Sequence, residues 1–118
     1  MNPVDRARIL IDHAEANGLE DGLYHLTSLT FDRVGVLLGG VSLAQLVRWG
    51  DTLTAPHIEI ANYEGSLQVN VRGAIETLAV EVCLIVRSGV EFERLQNAAM
   101  AGSHSYDMFR AFVGEVTE

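Results

Sequence analysis

The chain has 118 residues and a net charge of −8, set by sixteen acidic residues against eight basic ones, all of them arginine. That length makes one domain, 1–118, with enough chain for a core of its own, and 48% apolar residues with a mean hydropathy of +0.18 exclude a disordered segment. A single cysteine excludes an internal disulfide, and no apolar run approaches the ~20 residues of a membrane span.

The opening stretch, Met1 to His13, interleaves Asp5, Arg6, Arg8 and Asp12 with its apolar residues. It lacks the unbroken apolar core of a secretory leader, so a cytoplasmic protein is expected. Instead it reads as a helix capped by Asn2, with Pro3 at the first helical position. Val4, Ala7, Leu10, Ile11 and Ala14 form its apolar stripe, and Gly18 ends it. Leu23 to Leu29 has no clear period, and Tyr24 to Ser28 reads as an extended piece or a short helical turn. From Thr30 to Leu38, the spacing of Phe31, Val34, Leu37 and Leu38 predicts a second helix, broken by Gly39 and Gly40. Ser42-Leu43-Ala44-Gln45 is a capping box, with Val41 and Leu46 as its hydrophobic staple. It predicts a helix from Leu43 to about Thr52, burying Leu43, Leu46, Val47 and Leu53 and leaving Trp49 at the edge.

Ala55-Pro56 is expected to stop the helical half. Ile58 and Ile60, then Leu67, Val69 and Val71, alternate with polar residues around Asn62-Tyr63-Glu64-Gly65, which predicts a β-hairpin. Arg72-Gly73 is read as a turn into Ala74–Ser88, where ten of fifteen residues are apolar. As a strand, this stretch places Leu78, Val80, Val82, Leu84 and Val86 on one face. As a helix, it leaves Val80 and Leu84 inside a polar arc. The strand reading has no such violation and is preferred. Val90 and Phe92 would add a fourth strand after Ser88-Gly89. Leu95 to Ala101 reads as helical. Ser105 would cap a last helix carrying Tyr106, Phe109, Phe112, Val113 and Val116.

The expected fold is therefore α+β: a helical N-terminal half, an antiparallel β-meander and C-terminal helices over one face. If the central stretch is helical, only the hairpin remains as β structure and the chain is mostly α.

Few residues point to chemistry. Thr30 to Leu53 resembles a helix-turn-helix, but its second helix offers only Gln45 and Arg48 to a groove, followed by Asp51. With no clustered basic patch in the chain, nucleic acid is not an expected partner. Arg8 and His13 have an Arg-x4-His spacing that looks like a motif of some ribonucleases, and they read more simply as the outer side of an amphipathic helix. His13, His25, His57 and His104 never fall three or four apart. No metal site and no cofactor are expected. Cys83, alone in an apolar run, reads as a small core residue. Around His104 and Asp107 lies the densest polar group, which could act as base and orienting group, or simply cap a helix.

The functional expectation is a small acidic, non-enzymatic protein that binds another protein, a basic one by charge. Inhibitors, antitoxins, immunity proteins and phage accessory proteins share this profile. Trp49, Tyr106, Phe109 and Phe112 are the expected contact residues, and self-association into a homodimer is expected. The alternatives are a small-molecule binder or enzyme with a pocket between sheet and helices, and a helix-turn-helix regulator.

Overall fold

The structure is a computed structural model, described here for residues 2–19, 24–29, 33–39, 43–63, 65–87, 93 and 102–117. Helix α1 spans Pro3–Ala16. The Asn2 side chain accepts from the Asp5 backbone N–H at 2.9 Å, the expected cap, and Gly18 follows at φ +67°. Its buried side differs from the expected stripe. Arg6, Leu10 and Ala14 face inward, while Val4 is 64% exposed and Ile11 39%. The helix is rolled so that the Arg6 side chain is taken into the molecule and Val4 and Ile11 turn outward.

Strands β1 (Tyr24–Leu29) and β2 (Arg33–Leu38) form an antiparallel hairpin with an irregularity between Leu26 and Ser28. The helix predicted from Thr30 to Leu38 is therefore corrected: Arg33–Leu38 is a strand, and residues 30–32 lie outside the described residues. Val34, Val36 and Leu38 lie at period two as well as near helical spacing, and burial follows period two. With it goes the helix-turn-helix, because its first helix is this strand.

Helix α2 (Leu43–Asp51) stands where the capping box placed it. Trp49, expected at the edge, is fully buried, with its ring edge-on to Tyr24 at 5.2 Å between centroids. The helical region ends before Ala55-Pro56, as expected, and strand β3 (Thr54–Tyr63) includes that dipeptide. The pairing slips between Thr54 and His57, and Ala55 takes φ +51°, so the proline sits at an irregularity where its missing N–H breaks no ladder.

Strand β4 (Ser66–Ile75) completes the expected hairpin, with Tyr63 opposite Ser66. The next turn is at Glu76-Thr77, not at Arg72-Gly73, and Ile75 pairs with Leu78 across it. Gly73 is needed for a different reason: a Cβ there would lie 2.8 Å from Leu53 Cβ. Strand β5 (Leu78–Val86) alternates buried and partly exposed residues along its length. Ala74–Ser88 is thus the end of one strand, a turn and a second strand. The expected strand at Val90 and Phe92 and the helix from Leu95 to Ala101 lie outside the described residues. Strand β6 (Gly102–His104) and helix α3 (Tyr106–Thr117) close the chain.

The six strands are ordered β1-β2-β5-β4-β3-β6. All neighbours are antiparallel except β2 and β5, which are parallel, so the sheet is mixed. This corrects the expected fold. The N-terminal half holds two strands as well as two helices, and neither a simple antiparallel meander nor a mostly helical chain with one hairpin describes the molecule. One core joins the inward residues of β2, β3, β4 and β5 to Leu10, Ala14, Leu43, Leu46, Trp49, Phe109 and Val113 of α1, α2 and α3. The other sheet face carries Arg33, Glu81 and Arg72 in a row across β2, β5 and β4. The Glu81 carboxylate accepts from Arg72 Nε at 2.6 Å and from Arg33 Nη1 at 3.5 Å.

Candidate functional site

Helices α2 and α3 lie side by side over the sheet, and a groove runs between them. Its walls follow from helical spacing. Ala44, Val47 and Asp51 of α2 stand three and four apart, as do Asp107, Arg110, Ala111 and Gly114 of α3. With Val113 these residues line about 490 Å³, open to solvent on one side. The floor is apolar and small. At Gly114 an added Cβ would meet no atom of the described residues within 4 Å, so the backbone of α3 itself borders the groove.

Tyr106 fixes the two helices to each other. It sits in the first turn of α3, and its ring lies directly on Gly50 of α2, the one buried residue there with no side chain in the way. Its hydroxyl is 2.8 Å from the Val47 carbonyl and 2.8 Å from Asp51 Oδ1, so one phenolic proton is shared between two acceptors. Burial raises the Tyr106 pKa, and the hydrogen bond to Asp51 raises it further. Arg110 Nε lies 3.0 Å from Asp51 Oδ1 and 3.3 Å from Oδ2. Asp51 therefore receives both the phenol and the guanidinium at one end of the groove. At the start of α3, Ser105 Oγ accepts from the Met108 N–H at 3.4 Å, the capping role expected of it.

The expected contact residues are placed less openly than the sequence suggested. Trp49 and Phe109 are fully buried and Tyr106 nearly so; Phe112 is half-buried against the core. Three of the four hold the molecule together from inside and are not displayed to a partner. Of the polar pair, Asp107 lines the groove, and His104 lies on β6 opposite Ile58.

The residues that shape the groove, Ala44, Ala111 and Gly114, were not singled out in the sequence. Their only signal is small size at helical spacing, which close packing produces equally well. Arg48, the side chain offered to DNA in the helix-turn-helix reading, donates to the Gly18 carbonyl at 2.7 Å. Arg8 is exposed, while its spaced partner His13 is 2.9 Å from Thr52 Oγ1, whose own proton goes to the Trp49 carbonyl at 2.7 Å. His13 is a clasp between α1 and the end of α2. Cys83 is on the outer sheet face, half-buried and not in the core, and burial pushes its thiol pKa up. Among the described residues, no three His, Cys, Asp or Glu side chains converge as metal ligands would, and no helix is long and apolar enough to cross a membrane.

Compared with protein families, with curated proteins and with solved structures, the chain matches none.

Proposed function

We propose that this protein acts by binding another protein in the groove between α2 and α3, without catalysing a reaction. The observation that carries this reading is the groove itself: an open trough with a small apolar floor and a charged wall, built on two helices pinned together by Tyr106. Rigid elements hold a binding surface more exactly than loops do. Small side chains in the floor let apolar anchors of a partner sink in and lose their water, which is where binding energy concentrates. The acidic balance of the chain favours fast association with a basic partner. Inhibitor, antitoxin, immunity and phage accessory roles are all of this kind.

The volume also falls in the range of small-ligand pockets. In that second reading Asp51, Asp107 and Arg110 would supply the polar contacts.

The test is affinity capture from the cells that make the protein, using the native chain and Gly114→Leu as parallel baits. The leucine fills the groove from a position where nothing among the described residues obstructs it. A protein retained by the native chain and lost with the variant is the expected result. Equal capture by both baits would overturn the groove as the site, and no retained protein while a small molecule raises the melting temperature of the native chain alone would overturn it in favour of the second reading.

A further inference from the structure

We infer that the groove takes an amphipathic α-helix carrying a lysine or arginine over Asp107; this rests on the groove being the binding site. Two observations select a helix. The trough is formed by residues three and four apart on two neighbouring helices, the relief into which a third helix packs ridge into groove. The walls are helical backbone, whose N–H and C=O groups are already bonded within each helix, so an extended peptide finds no free ladder to join there. A helix needs no such ladder. It presents apolar side chains at i, i+3 and i+7 to Ala44, Val47, Ala111 and Gly114.

Charge selects the flank. The groove holds two carboxylates and one guanidinium. Arg110 is spent on Asp51, which also accepts from Tyr106. Asp107 is exposed and has no ion-pair partner among the described residues. Its place in the first turn of α3 complements the helix dipole, and that leaves its oxygens open to a donor from the side. A cation on the incoming helix would neutralise the one uncompensated charge of the wall. An acidic helix would meet that charge and a molecule of net charge −8.

The test is a displayed library of helical peptides with a fixed apolar stripe and randomised flanking positions. It is selected on the native protein and counter-selected on Gly114→Leu. The surviving pool is expected to be rich in lysine and arginine at the flanks. Its best members should bind Asp107→Asn about two- to fivefold more weakly at low salt, the range of an exposed ion pair, with less difference at high salt. Groove-dependent peptides with neutral or acidic flanks, or with equal affinity for Asp107→Asn, would overturn the charge assignment and leave the groove standing. If no peptide survives the counter-selection on Gly114→Leu, the groove is removed as a binding site altogether.

Discussion

Gly50 has no room for a methyl group: a Cβ there would come within 2.5 Å of the Tyr106 ring and hydroxyl. The ring cannot simply swing away, because its hydroxyl is tied to α2 at two acceptors. Gly50→Ala is therefore expected to destabilise the protein by about 1–3 kcal/mol, measured by urea unfolding, although alanine is the better helix former. Tyr106 itself gives an alkaline signature. Its pKa is raised above the ordinary 10.0, so above that pH the unfolded chain releases a proton that the folded one keeps, and stability falls as pH rises. Tyr106→Phe should be less stable at neutral pH and should lose part of the alkaline decline; an unchanged alkaline profile would show that the phenol is not held this way. His13 acts at the other end. Burial lowers its pKa below 6.5, so its contribution is complete above that value and is lost as pH falls through it toward the folded-state pKa. His13→Gln should flatten the pH dependence of the melting temperature on the acid side of neutrality.

The strand β5 is the element on which the sheet depends, and the sequence left its stretch open between strand and helix, with the strand preferred. Val80 and Val82 are 1% and 0% exposed on the same inward face. Val80→Asp and Val82→Asp should each cost several kcal/mol and abolish cooperative thermal unfolding alike. A folded Val80→Asp beside an unfolded Val82→Asp would contradict the strand. The face of β5 could be read because five apolar residues alternate without exception. The hairpin of β3 and β4 and the helix α2 were plainer, since turn residues and a capping box are local signals. Strand β2 was not. Arg33 to Leu38 fits both periods, and its state is decided by β5, which pairs with it from more than forty residues away. The roll of α1 was hidden for a related reason: a long side chain such as Arg6 can be buried only if something distant receives it. The groove was hidden because alanine and glycine mark a cavity only once the neighbouring helix is in place. Asp107 had been picked out, but as an orienting group for His104 and not as part of a groove.

On the scale of the whole molecule, the chain builds its sheet from the outside inward. β1 and β2 form one hairpin, α2 carries the chain over the sheet, β3 and β4 form a second hairpin, and β5 enters between them. The two hairpins share no strand pairing of their own; β5 is hydrogen-bonded to both. During synthesis this makes the last central strand a latch that arrives late. Until Val86 has left the ribosome, β2 and β4 each present a raw edge, lined with Val34, Val36, Val69 and Val71, that any similar strand could join. A chain truncated at Ile75 is expected to be insoluble or to form oligomers in light scattering, even though it keeps both hairpins and the two N-terminal helices. Supplying Leu78–Val86 as a separate peptide should then rescue it. A cell that makes this protein has to shield those two edges only for the short interval between the fourth strand and the fifth.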